Sequence, residues 1–171
     1  DFGTRPSSTT PPRVTPRRRS GGISLRILIV NGPNMNLLGL REPEIYGRTT
    51  YGELTAMIEE EAARRGIETQ FFQSNHEGAI VDAIQDAAGR FDGIVINPAA
   101  YTHTSVAILD ALKAVGLPAV EVHVSDPDLR EDFRRISYVR AACIATVKGK
   151  GLRGYVEAVD ILQSVFMRKP D

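Results

Sequence analysis

Glu121 and His123 are the pair of residues whose types and spacing most directly suggest chemistry. They lie in an apolar run that begins at Ala119 and predicts a β-strand, where side chains two positions apart leave the same face. A carboxylate beside an imidazole stabilises its charged form and fixes its tautomer, as an acid or base catalyst requires. The pair therefore predicts an acid–base catalyst, and a histidine with a purely structural hydrogen bond is the alternative.

Two further polar clusters follow apolar runs, from Asn31 to Asn36 and from Asn97 to His103. Asn, Gly and Pro are ordinary turn residues, and a histidine near a predicted helix start, such as His103, can simply cap that helix or bind an anion. In parallel α/β sheets, however, ligands bind outside the carboxyl ends of the strands. Together with residues 121–125, these clusters predict one polar cleft at a single sheet edge.

The segment from Leu40 to Thr50 is polar, contains Pro and Gly, and carries Arg41 and Tyr46. Its composition and its place after the first predicted strand favour a lid over the cleft. A guanidinium beside a phenol lowers the phenol pKa from its ordinary value of about 10, so that tyrosine can serve as a base. Without partners, both residues would be ordinary surface residues.

Five apolar runs that predict strands alternate with amphipathic segments that predict helices. The predicted strands cover residues 25–30, 67–72, 93–96, 119–124 and 142–147, and the predicted helices cover residues 50–64, 77–88, 103–115 and a final segment after Gly154. A capping box formed by Thr50 and Glu53 marks the first long helix. The alternation predicts an α/β fold, a flavodoxin-like three-layer sandwich with a five-stranded parallel sheet.

The composition predicts one catalytic domain over residues 23–171 and a flexible basic arm over residues 1–22. Of 21 basic and 21 acidic residues, the arm holds five Arg and one Asp, which leaves 16 basic and 20 acidic residues. An acidic domain has no electrostatic reason to bind nucleic acid, and no apolar run approaches a membrane span of about 20 residues. Cys143, the single cysteine, is predicted to be a buried, reduced strand residue. We expect a soluble, cytoplasmic protein without nucleic-acid or membrane partners.

Two other classes of function are weighed against catalysis by the acid–base pair. A non-catalytic flavodoxin-like module that binds a nucleotide or flavin needs a phosphate cradle, and neither glycine-rich phosphate motif follows the first strand. A metal hydrolase would need His76, His103 and His123 in one site, but His76 falls at a predicted helix start. The sequence therefore predicts neither a cofactor nor a metal.

Five ordered motifs resemble those of the type II 3-dehydroquinate dehydratases, over about residues 25 to 165. They are Asn31-Gly-Pro-Asn-Met-Asn-Leu-Leu-Gly39, Arg41-Glu-Pro-Glu-Ile-Tyr-Gly47, Asn97-Pro-Ala-Ala-Tyr-Thr-His-Thr-Ser105, Glu121-Val-His-Val-Ser125 and Arg130-Glu-Asp-Phe-Arg-Arg-Ile-Ser137. The resemblance implies a lyase of the shikimate pathway, in aromatic amino acid biosynthesis, that dehydrates 3-dehydroquinate to 3-dehydroshikimate through an enolate. Because no lysine stands in these motifs, a Schiff base is not expected.

The resemblance also implies roles for individual catalytic residues. Tyr46 matches the base that removes a proton beside the ketone, and Arg41 matches the lid arginine that activates it. Asn34 matches the residue that holds a water which stabilises the enolate. His123 matches the acid that protonates the departing hydroxyl, and Glu121 matches its orienting carboxylate.

Substrate binding and assembly are implied in the same way. The matching positions are the side chains of Asn97, His103 and Arg134, the backbone amides of Val124 and Ser125, and Asp110, which enters a neighbouring subunit's site in this family. The family's dodecamer, a tetramer of trimers, is the expected homo-oligomer.

Two departures from the family pattern fall in these motifs. Asp126 replaces the usual asparagine and adds negative charge near a carboxylate site, and Ala99-Ala100 replaces a Gly-containing pair. Altered loop packing or substrate affinity is the expected consequence.

Overall fold

The computed structural model describes residues 24–40 and 42–167 and contains one five-stranded sheet. Its strands are β1 (Leu25–Asn31), β2 (Ile67–Gln73), β3 (Gly93–Asn97), β4 (Ala119–His123) and β5 (Ala145–Lys148). The strand order is β2-β1-β3-β4-β5, and every neighbouring pair is parallel. The predicted α/β class and the parallel sheet are confirmed.

The described residues form five α-helices, which connect or follow the strands. They are α1 (Pro43–Tyr46), α2 (Tyr51–Arg64), α3 (Glu77–Asp86), α4 (Val106–Val115) and α5 (Gly154–Met167). Apolar residues of α2 and α5 pack on one face of the sheet, whereas those of α3 and α4 pack on the other. The result is the predicted three-layer sandwich.

Alternate residues of β1 supply both layers of core. Ile27 and Ile29 face the layer that contains Leu54 and Leu162, whereas Leu28 lies in the layer with α3 and α4. Because both faces are covered, the strand is a nearly continuous apolar run, as parallel strands usually are. Burying each such side chain stabilises the fold by about 1.5–3 kcal/mol, so the sheet is a rigid base for the loops at its carboxyl edge.

The capping box predicted for the first long helix is present. The Glu53 amide donates to Thr50 Oγ1 at 3.2 Å, and the Thr50 amide donates to Glu53 Oε2 at 2.7 Å. These two bonds satisfy amides that would otherwise lack partners at the helix start. The helix therefore begins at a fixed point directly after the predicted lid segment.

The helix predicted to begin at His103 instead begins at Val106. Ser105 is its N-cap, since the Ser105 hydroxyl accepts a hydrogen bond from the Ile108 amide at 3.0 Å. Residues Ala99–His103 form a separate 3₁₀ helix. His103 is thus neither a helix cap nor positioned at a helix N-terminus. The alternative that it caps the helix or binds an anion at the helix start is therefore wrong.

The fifth strand was predicted three residues too early. Residues Val139–Ala142 form a 3₁₀ helix, and half-buried Cys143 follows it instead of lying in a strand. The pairing of β5 with β4 begins only at Ala145, opposite Val120. Burial, with a smaller contribution from nearby Glu121, raises the pKa of the Cys143 thiol to about 12, which agrees with an inert thiol.

Smaller boundary differences occur in α3 and β4. Helix α3 ends at Asp86 instead of Ala88, and Ala87 is buried whereas Ala88 is exposed. Strand β4 ends at His123 instead of Val124. Within residues 24–40 and 42–167, no helix combines the length and apolar character needed to cross a membrane. The predicted arm over residues 1–22 lies outside the described residues.

Candidate active site

A cavity of about 100 Å³ opens where the loops after β1, β3 and β4 meet, at the carboxyl edge of the sheet. Its wall contains seven of the predicted site residues: Asn34, Asn97, His103, His123, Val124, Ser125 and Arg134. Residues from distant parts of the sequence therefore meet in one cleft, at the edge where parallel sheets bind ligands.

His123 and Glu121 form a direct contact at the floor of this cleft. His123 Nε2 lies 2.8 Å from Glu121 Oε1, and both side chains are buried. The carboxylate accepts the hydrogen on Nε2, which leaves Nδ1 as the ring nitrogen free to exchange a proton with a ligand. The pair has the geometry of an oriented acid or base.

Four further donors surround the Glu121 carboxylate. They are Ser137 Oγ at 2.6 Å, Thr102 Oγ1 at 2.7 Å, Thr146 Oγ1 at 3.0 Å and Arg140 Nε at 3.4 Å. Burial acts to raise the pKa of Glu121, but His123 and the hydroxyl donors outweigh it and lower that pKa to about 2. Glu121 is therefore an anion at neutral pH, although it has no solvent exposure. The sequence did not identify these donors, because they come from segments far from Glu121.

His103 has a fixed tautomer. Its Nδ1 lies 2.7 Å from the carbonyl oxygen of Ile136, and a carbonyl only accepts, so Nδ1 carries the hydrogen. Burial lowers the pKa of His103, against the opposing effect of that carbonyl. A neutral imidazole then presents Nε2 as an acceptor, which suits contact with a ligand hydroxyl.

Two arginines give the cleft a positive wall. Arg134 was predicted as a site residue, whereas Arg130, four residues earlier in the same motif, was not. The Arg134 guanidinium is held by Glu131 at 2.7 Å. A cationic wall matches a ligand that carries a carboxylate.

Asn97 lies at the base of the cleft and is almost fully committed to protein contacts. Its Nδ2 donates to Tyr155 Oη at 2.9 Å and contacts Met35 Sδ at 3.6 Å, and its Oδ1 accepts from the Ala99 amide at 3.1 Å. Tyr155 Oη donates in turn to Asn31 Oδ1 at 2.6 Å. The amide of Asn97 is therefore locked in one orientation, with one acceptor lone pair left for a ligand.

The predicted lid is only partly described. Arg41 and the side chain of Tyr46 lie outside the described residues; the Tyr46 backbone ends the short helix α1. The two ends of the segment touch, since a Cβ added to Gly39 would lie 2.8 Å from the carbonyl oxygen of Arg48. Gly39 also has a φ of +86°. The two ends of the segment, at Gly39 and Arg48, therefore lie against each other.

Asp110 does not line the cleft of this chain. It is exposed in the middle of α4. The implied role of Asp110 in a neighbouring subunit's site is therefore a prediction about an assembly.

The two departures from the family pattern have clear local contacts. Asp126 caps the 3₁₀ helix Pro127–Leu129 and pairs with Lys148 Nζ at 3.2 Å, so its charge is offset and it does not line the cleft. Ala99 has a φ of +51°, in the left-handed region that favours glycine. The expectation of altered loop packing thus has a physical basis at Ala99.

Within residues 24–40 and 42–167, no group of three His, Cys, Asp or Glu residues is arranged to hold a metal ion. His76 is the N-cap residue of α3 and is exposed. The described part of the cleft offers imidazoles, guanidiniums and amides, which are groups for proton transfer and anion binding.

The fold and the cleft together define a parallel α/β protein with a buried histidine–glutamate pair beside a cationic wall. The profile of the family "Dehydroquinase class II" matches residues 25–163. A 3-dehydroquinate dehydratase of Corynebacterium glutamicum is 51% identical over 140 residues, which cover 82% of this chain and 97% of that protein. A catabolic 3-dehydroquinase 1 of Aspergillus terreus is 55% identical over 134 residues, 78% of this chain and 88% of that protein.

The crystal structure of the type II dehydroquinase from Butyrivibrio crossotus superposes with a TM-score of 0.81 at 49% identity, covering 83% of this chain and 99% of that one. This chain belongs to the class II dehydroquinase family. The resemblance predicted from the five motifs is confirmed.

Proposed function

We propose that this protein dehydrates 3-dehydroquinate to 3-dehydroshikimate through an enolate intermediate, without a Schiff base or a metal ion. Membership of the family and the names of the relatives support the reaction. The observation that carries the proposal is the buried contact between His123 and Glu121, which opens into a cleft with a cationic wall. The proposal includes the predicted roles of the site residues.

Proton abstraction is assigned to Tyr46, activated by Arg41. Two observations support this assignment: Gly39 and Arg48 lie against each other at the two ends of the loop, and residues 42–45 are exposed, as a lid requires. The phenolate removes a proton from the carbon next to the ketone. The negative charge then develops on the ketone oxygen.

Asn34 is assigned to the developing enolate, through a water molecule held by its amide. Its side chain is part of the cleft wall. A neutral donor placed in advance stabilises charge without reorganisation during the reaction.

Departure of the hydroxyl is assigned to His123. With Nε2 held by Glu121, Nδ1 is the nitrogen that donates a proton to the leaving oxygen. The carbon–oxygen bond breaks, the enolate electrons form the new double bond, and water leaves. The Glu121 anion stabilises the protonated imidazole before the transfer and fixes its orientation throughout.

The remaining cleft residues are assigned to substrate binding. Arg134, with the backbone amides of Val124 and Ser125, binds the carboxylate. Neutral His103 accepts from a ring hydroxyl through Nε2, and Asn97 offers its remaining lone pair at the base of the cleft. These contacts place the substrate between the lid and strand β4.

An imine route would require a neutral lysine in the cleft. Lys148 is the lysine to consider, because it lies opposite His123 in the sheet register. Its ammonium pairs with Asp128 and Asp126, and the hydrogen bond to Asp128 is the main cause that raises its pKa. Lys148 is therefore held protonated and is a poor nucleophile.

The proposal includes a homo-oligomer, a dodecamer built from four trimers, in the cytoplasm. Large exposed apolar side chains support an assembly: Val106, Leu129, Phe133, Ile136 and Ile144. A partner that covered them would remove their apolar surface from water. Asp110 lies on the same helix as Val106, so a neighbouring copy that covers this surface would receive its carboxylate. The inert thiol of Cys143 fits a reducing compartment.

The reaction is tested by adding 3-dehydroquinate and following the ultraviolet absorbance of the conjugated product. Turnover is expected, and it is expected to survive both a chelator and borohydride. Binding of substrate without turnover would contradict the enzyme and favour the ligand-binding module instead. Inactivation by borohydride, with a mass increase on a lysine, would contradict the enolate route, and Lys148→Arg would identify Lys148 as the site.

Shared sites are tested by mixing two inactive variants, Asp110→Ala and His123→Ala, under conditions that exchange subunits. A site with an intact His123 beside a neighbour with an intact Asp110 is complete, so activity is expected to return. Sedimentation of the wild-type protein is expected to show the dodecamer. A monomer, or mixtures that stay inactive, would contradict the shared site.

A further inference from the structure

Asn75, in the loop after β2, contacts the loop that carries Asn34 although it does not line the cleft. Asn75 Oδ1 accepts hydrogen bonds from the Asn34 amide at 3.0 Å and from Gln73 Nε2 at 3.2 Å. A backbone amide can only donate, so the atom that faces it is the side-chain oxygen of Asn75. The orientation of the Asn75 amide is therefore determined by its partner.

Gln73 fixes the same arrangement from the strand side. Its Nε2 also donates to the carbonyl oxygen of Gly32 at 3.2 Å, and the Ser74 amide donates to the Asn31 carbonyl at 3.1 Å. The loops after β1 and β2 are thus joined at several points. Asn75 is the point at which this connection reaches Asn34.

The backbone of Asn34 needs such support because it is in the left-handed region, with φ of +67° and ψ of 0°. Residues with a side chain rarely adopt this conformation, although Asn tolerates it better than most. The hydrogen bond from the Asn34 backbone amide to Asn75 Oδ1 stabilises it. A rotation of the Asn34 backbone to an ordinary conformation would redirect its side chain away from the cleft.

Asn75 also holds the opposite wall of the cleft. Its carbonyl oxygen accepts a hydrogen bond from Tyr101 Oη at 2.9 Å. Tyr101 lies in the 3₁₀ helix Ala99–His103, which carries His103 into the cleft. One residue therefore links the loop of Asn34 to the loop of His103.

We propose that Asn75 is a positioning residue: by accepting a hydrogen bond from the Asn34 backbone amide, it keeps the Asn34 side chain where the enolate forms. The inference rests on the proposed function, because it assigns Asn75 to the step that Asn34 serves. A residue that acts only in this way changes the stabilisation of the transition state more than the binding of substrate. Its removal affects kcat more than KM.

The first test compares Asn75→Ala with Asn75→Asp. The alanine variant is expected to lower kcat by about ten-fold with little change in KM, the amount that one hydrogen bond can supply. The aspartate variant keeps the acceptor for the Asn34 amide and is expected to retain most of the turnover. Gln85→Ala, on the exposed side of α3, is the control and is expected to behave as wild type.

The second test is a double-mutant cycle with Asn34→Ala. If Asn75 acts through Asn34, the double variant loses no more turnover than Asn34→Ala alone. Additive losses, an aspartate variant as impaired as the alanine variant, or a loss that only follows the fraction of unfolded protein would overturn the inference. A wild-type protein without turnover would overturn the proposed function as well, so the two failures are distinguishable.

Discussion

The Glu121–His123 pair on β4 and the loop that carries Tyr46 differ in burial and in the number of contacts that hold them. Glu121 and His123 are buried in a central strand, and five groups contact the Glu121 carboxylate. The loop from Gly39 to Arg48 is pinned at its base, and its residues 42–45 are exposed. The proposed donor of the last proton is thus rigidly positioned, whereas the proposed base acts from a segment that must close.

This difference separates two ways of losing activity. Changes around β4 alter groups that are already in place, so they affect both chemistry and folding stability. Changes where the two ends of the loop meet alter how Tyr46 reaches the cleft and leave the core intact. The following variants test that separation.

The largest effect is expected for His123→Ala, because it removes the proposed acid. Turnover of 3-dehydroquinate is expected to fall by about 10³-fold, within the range for general acid catalysis. His76→Ala removes an exposed imidazole outside the cleft and serves as the control. Steady-state rates measured on both variants decide the point: equal losses would argue for the three-histidine metal site.

Glu121 is expected to contribute on the order of 3 kcal/mol to folding, from a pKa lowered from 4.5 to about 2. A carboxyl with a depressed pKa stabilises the fold above its unfolded pKa. That contribution is lost as the pH falls from 4.5 towards 2. Denaturant unfolding of the wild type should therefore show a steeper loss of stability over this range than Glu121→Gln. Parallel curves would contradict the inferred charge state of Glu121.

Gly39→Ala is expected to lower kcat/KM by about ten-fold through crowding at the base of the loop. Gly66→Ala is the matched control: Gly66 also has a positive φ of 69°, but an added Cβ meets nothing within 4 Å. Gly66→Ala should lose about 1 kcal/mol of stability, Gly39→Ala should lose more because its Cβ meets backbone, and only Gly39→Ala should lose activity. Equal kcat/KM values for the two variants would show that the contact between Gly39 and Arg48 does not control the action of Tyr46.

The smallest effect is expected at Ala99, whose φ of +51° is strained. Ala99→Gly is expected to increase the free energy of unfolding by about 1 kcal/mol, since glycine adopts this conformation without strain. Ala100→Gly, at the next position of the same 3₁₀ helix, is expected to lower it slightly. Thermal unfolding of both variants measures the sign of each change in the free energy of unfolding. Changes of the same sign would contradict strain at Ala99.

The sequence predicted the features that depend on local periodicity. The apolar run of β1, the capping box of Thr50 and Glu53, and the common face of Glu121 and His123 all follow from spacing within a few residues. Spacing could not identify Ser137 and Thr146 as donors to Glu121, because they meet it only after the chain has folded.

The same limit explains the errors at element boundaries. His103 was placed at a helix start because its neighbours continue an apolar helical pattern, but Ser105 provides the actual cap. Cys143 was placed in a strand because its neighbours are apolar, but only residues from Ala145 onward find a partner on β4. The commitment of Asn97 to Tyr155, 58 positions away, is likewise a tertiary contact.

The most direct test of separate roles for Tyr46 and His123 is exchange of the substrate proton with deuterium oxide. In His123→Ala the base remains, so the proton next to the ketone is expected to exchange for deuterium while dehydration is blocked. In Tyr46→Phe neither exchange nor dehydration is expected. Mass spectrometry of recovered 3-dehydroquinate measures the deuterium content. Exchange that persists in Tyr46→Phe, or that is absent from a folded His123→Ala variant, would contradict a loop-borne base and a strand-borne acid.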